Sequence, residues 1–171
     1  IEFIKTDKSR LFLEELDKET KDIFEKCIEE CVSTKNDCIK KNPKITLIDT
    51  DKAPTPPGPF SHASEIEDWV YTSGMGGLLP ETGQVISDDV IEQTEQAILN
   101  VEEILAASGC TLGDVVKVTL YLTDMADYPR VNEVYEQAFS PHKPARTCVA
   151  VSALPVRERM KLDTVARRAS R

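Results

Sequence analysis

Val115-Val116-Lys117-Val118-Thr119-Leu120-Tyr121-Leu122 reads as one long apolar strand, and what flanks it decides the fold. Upstream, Ile91, Thr94, Ala97, Ile98, Val101, Ile104 and Leu105 follow a 3.6-residue period. Asp88 or Asp89 can cap the start of that helix, and Gly109 stands past its end. Downstream, a second helix is predicted from about Asp127 to Phe139, with Tyr128, Val131, Tyr135 and Phe139 inward. A strand set between two amphipathic helices calls for a sheet that the helices cover.

Working outward, Ile45-Thr46-Leu47-Ile48 and Trp69-Val70-Tyr71-Thr72 read as strands on the N-terminal side, and Arg146–Val151 and Met160–Val165 on the C-terminal side. Pro54, Pro56, Pro57 and Pro59 forbid regular structure between the first two. Ser73-Gly74-Met75-Gly76-Gly77 reads as a flexible loop and Pro80-Glu81-Thr82-Gly83 as a turn. The order strand, strand, helix, strand, helix, strand, strand is that of an α+β fold, a sheet with both helices on one side. Alternation lets Val116, Val118, Leu120 and Leu122 face the helices, while Val115, Tyr121, Val149 and Val151 also need cover. Exposed apolar surface of that extent is disfavoured for a monomer, so self-association is expected.

Residues 1–44 differ in character, being rich in Lys and Glu and free of glycine. Leu13, Leu16, Ile23, Phe24, Cys27, Ile28 and Cys31 recur at three- and four-residue steps, which predicts a helical extension ending at Asn42-Pro43. The domain proper is expected over residues 45–171. With 171 residues, 40% hydrophobic and 30% charged, the chain suffices for one good core rather than two large domains.

A net charge of −9 argues against nucleic acid as a partner, because phosphate contacts need clustered cations and the main basic run is Arg167-Arg168-Ala169-Ser170-Arg171. No apolar run approaches the roughly 20 residues of a membrane span, and the acidic N-terminus lacks a secretory or transit pattern. A cytoplasmic protein is the expectation, although Ile1 in place of methionine leaves room for an upstream segment. Cys27-x3-Cys31-x6-Cys38 is a poor match to zinc spacing, and no metal or cofactor is expected.

Pro144-Ala145-Arg146-Thr147-Cys148-Val149-Ala150-Val151 carries the chemistry. It puts a permanently charged guanidinium at the mouth of an apolar strand, where its planar fork suits a carboxylate. Lys161, in the following strand, is expected on the same sheet face, with Asp163 two residues on beside it. Cys148 has no histidine placed to activate it, since His62 and His142 lie in loops, so a pocket-wall thiol is the expectation.

Ala53-Pro54 followed by Gly58-Pro59-Phe60, then Thr72-Ser73-Gly74, Gln93 with Asn100-Val101, Gly113-Asp114-Val115-Val116-Lys117, Val131-Asn132-Glu133-Val134-Tyr135 and Pro144-Ala145-Arg146 resemble the Rid family, also called YjgF or endoribonuclease L-PSP. The resemblance runs from about Ile45 to Ala166. It implies a chorismate-mutase-like mixed sheet, a homotrimer, ligand clefts between subunits, and cofactor-free hydrolysis of reactive enamines and imines. The 2-iminobutanoate and 2-iminopropanoate type would yield a 2-oxo acid and ammonia. Arg146 matches the arginine that grips the substrate carboxylate. The backbone from Ser73 through Gly74 to Met75 and that around Cys148 match the pocket lining, and Asn132 matches a helix residue near it. Hydrolysing an electrophilic imine needs orientation, a positioned water and proton transfer, which agrees with that assignment.

Two positions depart from the family pattern. Its pocket tyrosine is Phe60 here, and the glutamate fifteen residues after the arginine is Lys161. A missing carboxylate removes general acid–base help that is typically worth about 10²–10⁴-fold. Lys161 has three readings: a lysine paired with Asp163 or Glu158, a second anion clamp beside Arg146, or a neutral amine acting as base or nucleophile. Asp163 is a candidate to replace the missing acid in part. An imine hydrolase is the leading reading, with a non-catalytic ligand-binding or regulatory trimer second and an endoribonuclease or chaperone-like role behind them.

Overall fold

The computed structural model describes residues 44–169. The helical extension expected over residues 1–44, with Cys27, Cys31 and Cys38, falls outside the described residues except for Lys44. Within them the chain forms β1 (Ile45–Ile48), β2 (Ala63–Ile66), β3 (Trp69–Thr72), β4 (Met75–Gly76), α1 (Val90–Ala107), β5 (Val115–Leu122), α2 (Tyr128–Phe139), β6 (Ala145–Ala150) and β7 (Met160–Arg167). The seven strands make one sheet in the order β1-β2-β3-β7-β5-β6, with β4 pairing β7 beside β3. β5 and β6 run parallel across the α2 crossover, and every other pairing is antiparallel.

Two strands escape the sequence reading for physical reasons. Ala63-Ser64-Glu65-Ile66 has a single large apolar residue, too few to show alternation, and it joins β3 through a tight turn with Glu67 at φ 55°. Met75-Gly76 is only a two-residue strand, held by β7 through the pairs Met75–Leu162 and Gly76–Lys161. Met75 buries its side chain in the core, so only its backbone is open to a pocket role.

The central strand corrects a second expectation. Val115 pairs with Ala166 and Lys117 with Val165, so Val116 is an extra residue in a β-bulge. One inserted residue flips the alternation: Val115 joins Val118, Leu120 and Leu122 in the core, and Val116 is 43% exposed instead of facing the helices. Each of those four buried side chains stabilises the fold by about 1.5–3 kcal/mol relative to exposure.

Both helices pack on that same face. α1 contributes Val90, Thr94, Ala97, Ile98, Val101, Ile104 and Leu105, and α2 contributes Val131, Tyr135 and Phe139. Asp89 caps α1 by accepting from Ile91 N at 2.6 Å, and its other oxygen takes Arg130 Nη2 of α2 at 2.8 Å. The Arg130 contact, then the Ile91 amide, hold the Asp89 carboxyl below its ordinary pKa. At the far end Gly109 adopts φ 72°, which lets Cys110 N reach Leu105 O at 2.8 Å and closes the helix. The opposite sheet face has no covering element among the described residues: Tyr71 is 44% exposed and Val149 39%.

Candidate functional site

Arg146 leaves the edge strand β6 on the helix-covered face and meets α2. Its Nη2 donates to Tyr128 Oη and to Asn132 Oδ1, both at 2.8 Å. The guanidinium carbon stands 4.4 Å from the Tyr135 ring centroid and 5.5 Å from that of Tyr128, a double cation–π contact. Tyr128, Asn132 and Tyr135 present one face of α2, at steps of four and three residues, which explains how one helix face can wrap a single strand residue. Nη1 is buried and has no hydrogen-bond partner among the described residues. A cleft of about 290 Å³ opens beside it, lined by Asn132, Tyr135, Glu136, Ser140, Lys143 and Arg146. Cys148, two residues along β6, packs against the core; burial pushes its thiol up, with Arg146 pulling weakly the other way, so it is no ready nucleophile.

Lys161 does not share that face. The register pairs Arg146 with Val118, whose side chain points to the helices, and Lys161 with Tyr121, whose side chain points to the uncovered face. β7 alternates accordingly, with Met160, Leu162 and Thr164 buried and Lys161, Asp163 and Val165 on the other side. The expectation of one face is therefore corrected: parity does not carry across the loop between β6 and β7, because each strand is registered separately on β5. Asp163 does lie beside Lys161, as the spacing requires, but its carboxylate faces Tyr121, whose phenol it pushes upward.

The partner of Lys161 is Glu158, with Nζ to Oε2 at 2.9 Å. The Glu158 side chain is 0% exposed and that of Lys161 20%. Neither Glu158 oxygen makes an aligned hydrogen bond, so the contact is an ion pair by distance alone. Burial pushes the Glu158 carboxyl up, against the downward pull of Lys161. Space for the carboxylate exists because residue 76 is glycine: a Cβ there would sit 1.7 Å from Glu158 Oε1. The turn that delivers Glu158 holds Val156 at φ 49° and Arg157 at φ 62°, strained values for side-chain-bearing residues, the β-branched one above all.

The remaining predicted residues form a separate group. A Cβ on Gly74 would lie 3.0 Å from Lys161 Cδ, so Gly74 and Lys161 adjoin. Ser73 Oγ donates to Ser61 O at 2.7 Å, tying the end of β3 to the loop that carries Phe60, which is 48% exposed. Arg146, Asn132 and Cys148 thus stand together on one face, and Gly74, Lys161 and Asp163 on the other side of the sheet. Sequence reasoning offered Glu158 as one of two partners for Lys161 but gave no sign of its burial, and it gave Tyr128 and Tyr135 no part beyond packing. It also missed a pair for His62, whose buried Nδ1 accepts from Thr50 N at 3.2 Å and lies 3.3 Å from Asp49 Oδ1. Among the described residues no three His, Cys, Asp or Glu side chains gather as a metal site needs, and no helix is long and apolar enough to cross a membrane.

Comparison with known proteins gives this geometry its relatives. The sequence profile of the family described as Endoribonuclease L-PSP matches residues 50–167. Reactive Intermediate Deaminase A, chloroplastic, of Arabidopsis thaliana is 42% identical over 123 residues, which is 72% of this chain and 66% of that one. The Mus musculus 2-iminobutanoate/2-iminopropanoate deaminase is 42% identical over 120 residues, 70% of this chain and 89% of the relative. Among solved structures, E. coli TdcF with bound serine superposes with a TM-score of 0.69 at 35% identity, over 72% of this chain and 99% of that one. A strained, glycine-accommodated turn and an arginine braced by α2 are thus set on a shared scaffold, and the chain belongs to the endoribonuclease L-PSP family, also called the Rid or YjgF family.

Proposed function

We propose that this chain hydrolyses small 2-imino acids, and their enamine tautomers, to 2-oxo acids and ammonia without a cofactor. The observation that carries the reading is Arg146: a guanidinium fixed by two hydrogen bonds and two rings, with one nitrogen left for an acceptor beside a cleft. Relatives named for 2-iminobutanoate and 2-iminopropanoate support the substrate class. Holding the carboxylate fixes the adjacent C=N carbon for attack by water, and orientation is most of what an electrophilic imine lacks. Gly74, Lys161 and Asp163 face away from Arg146 within a chain, so they join one cleft only across an interface between copies. A homotrimer meets that need and covers the open face with Tyr71 and Val149.

The test generates 2-iminobutanoate in situ in the presence of semicarbazide and follows the semicarbazone. The full chain should suppress it, because the imine is consumed before trapping. Unchanged semicarbazone formation at saturating protein would overturn the reading.

A second reading has its own observation. Lys161 stands where the family pattern has a glutamate, and it is already engaged by a buried carboxylate. A trimer that binds small 2-oxo acids without turning over imines fits that replacement, and calorimetry with 2-oxobutanoate, positive while the semicarbazone assay is negative, selects it. Endoribonuclease action draws no support from a net charge of −9.

A further inference from the structure

Two polar atoms of the Arg146 cleft lining residues are buried without a partner among the described residues: Arg146 Nη1 and the Tyr135 hydroxyl. Native chains leave few such atoms, and each left unmet destabilises the ligand-free protein. Both are donors. A guanidinium has no acceptor, and burial pushes the Tyr135 phenol up, so it keeps its proton through the neutral range. The charges on the same wall are Arg146, Lys143 and Glu136; Lys143 and Glu136 offset one another, which leaves the single charge of the guanidinium.

We propose that Tyr135 Oη and Arg146 Nη1 are a two-donor seat for one carboxylate, each donating to one oxygen, which makes Tyr135 a binding residue and the preferred ligand a monocarboxylate. This rests on the reading that Arg146 receives a carboxylate. A carboxylate has two oxygens that only accept, the complement of two donors that lack acceptors. Both atoms are buried in the wall of the cleft that their residues line. Asn132 Oδ1 and Tyr128 Oη already hold the other guanidinium nitrogen, which leaves Nη1 for the ligand.

Tyr135→Phe isolates the hydroxyl, and its effect is unusual in sign. Because the hydroxyl has no partner to lose in the ligand-free protein, the thermal midpoint without ligand should stay equal or rise slightly. Affinity for 2-oxobutanoate, measured by calorimetry on the full chain, should fall about tenfold, the value of one hydrogen bond to a charged group. Arg146→Ala should fall further. Equal affinity in wild type and Tyr135→Phe, with Arg146→Ala weakened, overturns the seat and leaves the proposed function standing. Equal affinity in all three, or no binding by wild type, overturns both. A matched loss of affinity and thermal midpoint in Tyr135→Phe overturns the seat in favour of a structural hydroxyl.

Discussion

Lys161→Glu alone should damage the protein before it helps catalysis. Glu158 is 0% exposed and its cation lies 2.9 Å away, so the substitution replaces an attraction with a second carboxylate beside a buried one. At about 4 Å and an effective dielectric of 20, two unit charges repel by about 4 kcal/mol. Breaking a buried pair costs about 3–5 kcal/mol on the same scale. Keeping a proton on Glu158 at pH 8 also costs free energy, so a loss of about 3–5 kcal/mol is expected there. The sign with pH follows from the raised carboxyl. A folded-state pKa above the ordinary value of 4.5 means that the folded chain binds more protons, so stability is greatest below that value and falls as pH climbs through the folded pKa. Denaturant unfolding at pH 5 and pH 8, at one fixed chain concentration, should show Lys161→Glu close to wild type at the lower pH and well below it at the higher. Adding Glu158→Gln should restore most of the loss, and only that double variant should gain imine hydrolysis, by up to about 10²–10⁴-fold. Equal stability of wild type and Lys161→Glu at pH 8, with no coupling to Glu158→Gln, would refute this account of the pair.

Arg146→Lys should weaken 2-oxobutanoate binding by about 10–100-fold in calorimetry, because a lysine cannot bond Tyr128 and Asn132 while presenting a second nitrogen to the ligand. Gly76→Ala should cost about 1–3 kcal/mol in denaturant unfolding, since its Cβ would meet Glu158 Oε1 at 1.7 Å, and Glu158→Ser should relieve it. Light scattering on the full chain should give about three times the chain mass, and Val149→Asp, which puts a charge on the uncovered face, should shift it towards monomer; a wild-type monomer would remove the need for an interface cleft.

What the sequence makes legible is whatever periodicity encodes. Ile91 to Leu105 and Tyr128 to Phe139 announce their helices because one face of each must be apolar, and Asp89 and Gly109 mark an end each because a helix leaves unpaired amides and carbonyls there. Arg146 is conspicuous for the opposite reason, a charge where its neighbours are apolar. What stays hidden depends on registration between strands. Nothing local says that Val116 is the extra residue of a bulge, and the loop between β6 and β7 carries no parity, so the sides on which Arg146 and Lys161 emerge are set by pairing with β5. The burial of Glu158 is hidden more deeply still, since a glutamate between two arginines looks solvated until Gly76, many residues upstream, is seen to vacate its space. The same three positions explain each other. A lysine at 161 tolerates a buried carboxylate at 158, the carboxylate fits only against a glycine at 76, and the strained Val156-Arg157 turn aims it there. Lys161 and Glu158 are therefore coupled in this chain, and a change at 161 is to be matched at 158.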